Sequence, residues 1–170
     1  MKPDFKNLPI VYLHPGEICY SDKDIVVSTV LGSCVSISMH CRINHYSGIS
    51  HCQLPACKEP HDNCSVCLDP YKYVDCTIKN MIKKFNEKGI SNEEIELKLF
   101  GGADVLQTVS GMVKINTVGS QNINSATKTI SEFNIKIAAS DVGGERGRKL
   151  FFRSKTGEIF LNRLKNNEKN

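Results

Sequence analysis

Short runs of β-branched and other apolar residues, each ended by a turn signal, recur along this chain and restrict the folds that it can adopt. Residues 24–31 and residues 35–39 are two such runs, and the Gly-Ser pair between them predicts a bend or bulge. Residues 149–161 hold two more, and the turn at residues 155–157 predicts a hairpin. Only two longer segments show helical spacing. The pattern predicts a single α+β domain, in which a largely antiparallel, β-sandwich-like core is flanked by two main helices.

The two predicted helices have recognisable ends. The first begins at Asp69-Pro70, because aspartate is a good helix cap and proline suits the first helical position, and it ends at Gly89. Its apolar residues recur at helical spacing: Val74, Ile78, Met81, Ile82 and Phe85. The second helix is predicted over residues 121–133, after a short strand at residues 113–117.

Length and charge limit the classes of protein to which the chain can belong. Its 170 residues suit one domain, predicted over residues 1–165 with a frayed tail at residues 166–170. The formal net charge is only +4, and the basic residues are scattered, which argues against nucleic-acid binding. No apolar run has the length of a signal peptide or a membrane span. We therefore expect a cytoplasmic protein that is not inserted in a membrane.

Cys34 and His51 are the residues that point most directly to chemistry. Cys34 follows Gly32-Ser33 between two strand-like runs, and His51 lies in another strand-like segment. Small residues before a thiol can leave the backbone N–H groups of Ser33 and Cys34 available to an oxyanion, and a histidine on a neighbouring strand can take the proton of the thiol. The pair therefore suggests acyl transfer. The alternative is structural, because cysteine is often a small buried hydrophobe.

Five motifs, spread over nearly the whole chain, resemble those of the chemoreceptor glutamine deamidase family, CheD, and follow in the same order. They are Thr29-Val30-Leu31-Gly32-Ser33-Cys34-Val35, Gly48-Ile49-Ser50-His51-Cys52-Gln53-Leu54-Pro55, Lys72-Tyr73-Val74-Asp75, Leu99-Phe100-Gly101-Gly102-Ala103 and Asp141-Val142-Gly143-Gly144-Glu145-Arg146-Gly147-Arg148. The cysteine and histidine motifs are specific as a pair, whereas either Gly-Gly loop alone is weak support.

The resemblance implies a cysteine-dependent protein-glutamine glutaminase that needs no cofactor. In that chemistry Cys34 is the nucleophile and His51 is the general base and acid. A glutamine of a methyl-accepting chemotaxis receptor is converted to glutamate through a thioester, with release of ammonia, and the same acyl-enzyme allows hydrolysis of receptor methyl esters. The cytoplasmic domains of such receptors are the expected partners.

A threonine ahead of the cysteine motif orients the histidine in the family that this chain resembles. Thr29 and Ser28 both precede Cys34, and adjacent strand residues face opposite sides, so only one of them can serve. Thr29 matches the residue type and keeps the Thr-x-Leu-Gly-Ser-Cys form. Ser28 is the alternative.

Two other hypotheses compete with an enzyme. The first is a non-catalytic chemotaxis adaptor that binds and regulates a CheC-type phosphatase, a partner that the resemblance also allows beside catalysis. The second is a zinc-binding redox or regulatory protein, because Cys57, His61, Cys64 and Cys67 crowd one loop and Cys64-Ser65-Val66-Cys67 has metal-ligand spacing. A zinc module usually shows a second clear pair, so free thiols are the simpler interpretation and no metal is predicted.

Overall fold

The computed structural model describes residues 5–58, 67–104 and 116–165, which form two β-sheets and two α-helices. The strands are β1 (Ile10–Tyr12), β2 (Ile18–Ser21), β3 (Val26–Leu31), β4 (Val35–Cys41), β5 (Tyr46–Ser50), β6 (Glu96–Gly101), β7 (Ile137–Val142), β8 (Arg148–Arg153) and β9 (Glu158–Arg163). The helices are α1 (Val74–Glu87) and α2 (Val118–Glu132).

The two sheets differ in size and are both mixed. One has four strands in the order β1-β3-β8-β9, and the other has five in the order β2-β5-β4-β6-β7. The β1/β3 and β6/β7 pairs are parallel, and the remaining pairs are antiparallel. The predicted α+β class with a largely antiparallel sheet core is confirmed, as is the hairpin formed by β8 and β9.

The five-stranded sheet is covered on both faces. Val35, Ile37 and Met39 of β4 pack in one cluster with the apolar residues of α1 and α2. On the opposite face, Ile49 of β5 packs with Val27 and Phe152 of the four-stranded sheet. This arrangement explains why every residue of β4 is buried although the strand alternates between apolar and polar side chains.

The helices start at other residues than the sequence pattern predicts. Asp69-Pro70 opens only a short 3-10 turn, because Tyr73 is extended and pairs with Leu54 before α1 begins at Val74. The second helix begins three residues earlier than predicted, since Thr117 caps it by accepting a 3.2 Å hydrogen bond from the backbone N–H of Ser120.

The bend predicted between residues 24–31 and 35–39 is a crossing between sheets. β3 belongs to the four-stranded sheet and β4 to the five-stranded sheet, so Gly32, Ser33 and Cys34 lie where the chain passes from one to the other. The sequence predicted the break but not the change of sheet. This crossing places Cys34 at the junction of the two layers.

Some predictions fall outside the described residues. The tail at residues 166–170 lies there, as does most of the strand predicted at residues 113–117, of which the described Asn116 and Thr117 immediately precede α2. Neither helix of the described segments has the length and apolar character needed to cross a bilayer.

Candidate active site

Cys34 and His51 lie on one face of two paired segments. The next residue in each, Val35 and Cys52, exchange backbone hydrogen bonds of 3.0 and 2.8 Å and point into the helix-covered core. Since side chains alternate along extended chains, Cys34 and His51 point to the opposite face, toward the other sheet. In this register they are diagonal neighbours, which typically lie roughly 7–8 Å apart and within reach of long side chains.

The backbone of the sheet crossing, residues 32–34, accepts hydrogen bonds at all three of its carbonyl groups. Gly32 accepts from Ala103 N–H at 2.9 Å, and Cys34 accepts from Gly102 N–H at 2.8 Å. Ser33 accepts from the side-chain amide of Asn122 at 2.9 Å. All three carbonyls therefore face the scaffold, which fixes the direction of the peptide N–H groups between them.

The N–H groups of Ser33 and Cys34 donate no hydrogen bond to any other residue that the structure describes. Burial raises the pKa of the Cys34 thiol, and the N–H of Cys34 itself, which lies against the sulfur, lowers that pKa in part. An N–H close to the attacking sulfur is suitably placed to stabilise the oxyanion of a tetrahedral intermediate. Both predicted donors are thus available.

Glycine is required in the loop that supports the crossing. Gly101 has a φ of +108°, and a Cβ at this position would stand 2.2 Å from the carbonyl oxygen of Cys34. Gly102 has a φ of +67°, and a Cβ at this position would stand 2.5 Å from the side chain of Ile123 in α2. The Gly-Gly motif therefore permits backbone contact that positions Cys34.

Thr29 contacts His51 from the other sheet. Thr29 Oγ1 donates a 2.8 Å hydrogen bond to the carbonyl of Leu13 and lies 2.8 Å from His51 Nδ1. With the Thr29 hydrogen assigned to the Leu13 carbonyl, the neutral ring of His51 carries its proton on Nδ1 and donates to Thr29 Oγ1. Nε2 then has the free lone pair that a general base needs.

Ser28 does not share this contact. Its hydroxyl is buried and has no hydrogen-bond partner among the described residues, and its position next to Thr29 in β3 turns it to the other face. Of the two hydroxyls proposed to orient His51, only that of Thr29 is hydrogen-bonded to it.

The environment keeps both members of the pair uncharged. Burial lowers the pKa of His51, and a hydrogen bond to the Leu13 carbonyl raises it in part. Burial likewise raises the pKa of Cys34. A thiol at Cys34 and a neutral imidazole at His51 are therefore the resting forms at neutral pH.

Asn122 is a site residue that the sequence interpretation missed. It is fully buried on α2, and its amide nitrogen donates to Ser33 O at 2.9 Å and to Gln53 O at 3.1 Å. It thereby joins the Cys34 crossing to the segment that follows His51. A signal was present in the sequence, because Asn122, Ala126 and Thr129 recur at helical spacing on the buried face of α2.

A second group of cysteines lies where the segment after His51 meets the start of α1. Cys57, Cys67 and Cys76 have sulfur atoms that all lie within 4.8 Å of one another. Of the four residues considered for zinc from the sequence, His61 and Cys64 lie outside the described residues. The structure adds Cys76 of α1, which was not predicted.

The chain is similar to known proteins along nearly its whole length. A family model described as CheD chemotactic sensory transduction matches residues 54–163. The matched range begins after His51. A probable chemoreceptor glutamine deamidase CheD 2 of Geobacter sulfurreducens is 42% identical over 95% of this chain and 94% of the relative. Probable chemoreceptor glutamine deamidases CheD of Oleidesulfovibrio alaskensis and Thermococcus kodakarensis are 35% and 32% identical over 94% and 89% of this chain, and over 75% and 91% of their own lengths.

Proposed function

This chain belongs to the CheD family, and from that premise we propose that it is a cysteine-dependent protein-glutamine deamidase acting on chemotaxis receptors. Its substrates are glutamine side chains in the cytoplasmic domains of methyl-accepting receptors, and it acts in the cytoplasm. The observation that carries the proposal is the 2.8 Å contact between Thr29 Oγ1 and His51 Nδ1, with Cys34 on the same face as His51. Relatives that share most of this chain are named as deamidases of that kind.

Acylation of the enzyme is the first half of the proposed reaction. His51 Nε2 accepts the thiol proton as Cys34 Sγ attacks the side-chain carbonyl carbon of glutamine. The negative charge that develops on the carbonyl oxygen is stabilised by the N–H groups of Ser33 and Cys34. His51 then gives its proton to the departing nitrogen, so that ammonia leaves and a thioester remains on Cys34.

Hydrolysis of the thioester completes the cycle. His51 takes a proton from a water molecule, whose oxygen attacks the thioester carbonyl at the same oxyanion position. Collapse of this intermediate breaks the carbon–sulfur bond, and the Cys34 sulfur recovers a proton from His51. The net reaction consumes one water and yields glutamate and ammonia. A receptor glutamyl methyl ester entering the same site would release methanol instead.

Mass spectrometry of a receptor cytoplasmic fragment tests the proposal. We expect wild-type protein to convert glutamine to glutamate with release of ammonia. Cys34→Ala and His51→Ala should each lower the rate by at least about 10³-fold, because the loss of one member disables the unit. Cys19→Ala is the matched control, since Cys19 is a half-buried cysteine of β2 that packs in another cluster than Cys34, and it should retain most of the activity.

Two results would contradict the proposal. Equal activity of Cys34→Ala and Cys19→Ala would remove the assigned nucleophile. A folded, reduced wild-type sample that converts no glutamine in a set of receptor fragments, yet binds a CheC-type phosphatase, would support the adaptor function instead.

A further inference from the structure

Three cysteines that take no part in the proposed reaction converge from separate parts of the chain. Cys57 follows the His51 segment, Cys67 precedes the 3-10 turn at Pro70–Lys72, and Cys76 lies in the first turn of α1. Their sulfur atoms lie within 4.8 Å of one another, and Cys57 Sγ and Cys67 Sγ are 3.8 Å apart. Cys76 is buried and the other two are half-buried.

One of these separations matches the geometry of a metal thiolate centre, and the other two are at most 4.8 Å. Zinc binds thiolate sulfur at about 2.3 Å in tetrahedral sites, so two sulfurs bound to one zinc lie about 3.8 Å apart. The Cys57 to Cys67 separation has this value, and the third sulfur lies within 4.8 Å of both. A disulfide between two of the three would leave the third sulfur without a role, whereas a cation uses all three.

The backbone around the cysteines is already held in place. Asp75 Oδ1 accepts hydrogen bonds from the N–H groups of Cys57 and Cys76, at 3.3 and 2.7 Å. One carboxylate oxygen therefore fixes two of the three sulfur-bearing residues relative to each other. Such support from outside the ligands is typical of metal sites, because it orients the ligands before the metal arrives.

We propose that Cys57, Cys67 and Cys76 bind one Zn²⁺ as thiolates and so fasten the segment that follows His51 to the start of α1. Each thiol releases its proton to solvent on binding, and one further ligand beyond the three sulfurs completes the tetrahedron. The site is structural and lies apart from the catalytic pair. The proposal does not depend on the deamidase function, because neither Cys34 nor His51 is a zinc ligand. Zinc content and activity can therefore fail independently.

Metal analysis of the full-length protein is the first test. The protein should be expressed with added zinc, purified under reducing conditions without chelator, and analysed by inductively coupled plasma mass spectrometry. We expect about one zinc per chain. After zinc removal, anaerobic titration with Co²⁺ should give thiolate-to-cobalt charge-transfer bands and the strong visible bands of tetrahedral Co²⁺, which zinc then abolishes.

Single substitutions locate the site. Cys57→Ser, Cys67→Ser and Cys76→Ser should each reduce zinc content and weaken the cobalt bands, whereas the control Cys19→Ser should bind as wild type does. Circular dichroism of each variant separates loss of a ligand from loss of the fold. If Cys76→Ser is misfolded, the half-buried Cys67 provides the decisive variant.

Several outcomes would overturn the proposal. The proposal fails if reduced, zinc-free wild-type protein gives no charge-transfer bands when Co²⁺ is added. Retention of full zinc content by the folded Cys67→Ser variant would place the metal elsewhere. A Cys57–Cys67 disulfide in zinc-free native protein, detected by peptide mass spectrometry, would replace the metal with a redox role.

Discussion

At the level of single residues, the 2.8 Å contact between the hydroxyl of Thr29 and Nδ1 of His51 bears on which ring nitrogen carries the proton. Thr29 Oγ1 has one hydrogen to donate, and the carbonyl of Leu13 accepts it. In this assignment the neutral ring of His51 donates from Nδ1, and Nε2 is unprotonated. Ser28 is next to Thr29 but lacks this contact. The geometry therefore favours Thr29 over Ser28 as the positioning residue.

Substitution of the two hydroxyls separates them. Thr29→Val keeps the shape but removes the acceptor for His51 Nδ1–H, and we expect kcat/KM to fall roughly 10–100-fold, equivalent to about 1.4–2.8 kcal/mol. Thr29→Ser restores the hydroxyl and should recover most of the activity. Ser28→Ala is the matched control and should stay within about twofold of wild type. Deamidation kinetics on a receptor fragment measure all three.

A purely structural role for Thr29 predicts a different pattern. In that case Thr29→Val would lower the amount of folded protein without changing the pH profile of the folded fraction. If His51 is positioned by Thr29, the acidic limb of the profile should shift in Thr29→Val and return in Thr29→Ser.

The pH dependence of activity follows from the state of His51. Protonated imidazole cannot accept the thiol proton, and burial lowers the pKa of His51 below its ordinary value of 6.5. The activity should therefore rise through a midpoint below pH 6.5. Burial also raises the pKa of Cys34 above its ordinary value of 9.0, so the plateau should extend past pH 9. A kcat/KM profile with an acidic midpoint at or above pH 7 would contradict this assignment.

The same shift has a consequence for stability. The unfolded chain takes up a proton on this histidine below pH 6.5, whereas the folded chain holds His51 neutral to a lower pH. The free energy of unfolding should therefore be fully retained above pH 6.5 and fall as the pH is lowered below it, levelling off below the folded pKa. Urea titrations at several pH values should show a smaller fall in His51→Gln. Burial also lowers the pKa of His40, so His40 contributes to the same fall in stability at low pH. That contribution is unchanged in His51→Gln.

At the level of structural elements, the loop after β6 supports the crossing between β3 and β4. The crossing is not itself part of a sheet, and its carbonyls are held by Gly102, Ala103 and Asn122. Close approach of this loop requires a residue without Cβ at position 101. The geometry of Cys34 therefore depends on glycine in an element about seventy residues away in the sequence.

Two glycines with positive φ provide a matched pair for this inference. Gly101→Ala would place a Cβ 2.2 Å from Cys34 O. Gly89 has a φ of +77°, and a Cβ added there would have no neighbouring atom within 4 Å. Both substitutions incur the backbone cost of positive φ, roughly 1–2 kcal/mol, but only the first displaces Cys34. We expect Gly89→Ala to lower stability with little change in kcat and Gly101→Ala to lower both. Equal kcat values in the folded fractions would show that the contact does not position Cys34.

At the level of the whole molecule, Arg148 connects the two sheets at the same end as the active site. It is fully buried at the start of β8 and donates to Gly101 O at 2.6 Å and to Gly143 O at 2.5 Å. Its Nε lies 3.2 Å from the carboxylate of Asp141. One side chain therefore joins the four-stranded sheet to the ends of β6 and β7. The motif at residues 141–148 therefore contributes a fully buried side chain to the core.

Replacement of Arg148 tests this connection. Arg148→Met would remove the guanidinium donors from Gly101 O and Gly143 O and leave Asp141 paired with Arg163 alone, and we expect a loss of about 1–3 kcal/mol in the free energy of unfolding. Arg153→Met is the control, because Arg153 forms a more exposed pair with Asp24 and should cost about 0–1 kcal/mol. Guanidinium titrations compare the two variants. Equal losses would mean that Arg148 is no more important to the joined sheets than a surface ion pair.

The sequence by itself determined the features that depend on local side-chain direction. Alternation and helical spacing predicted the helices, the β8–β9 hairpin and the α+β class, and the order of motifs predicted the family. The catalytic roles of Cys34, His51 and Thr29 stay predictions, although the Thr29–His51 contact agrees with them.

Only the tertiary structure decided which side chains meet. Local pattern cannot show that β3 and β4 belong to different sheets, because a strand has the same alternation in either one. It cannot show that Asn122 reaches Ser33, that Arg148 reaches Gly101 or that Cys76 joins Cys57, because long-range strand pairing and helix packing fix those distances. The start of α1 depends in the same way on the pairing of Tyr73 with Leu54, which overrides the local signal at Asp69-Pro70.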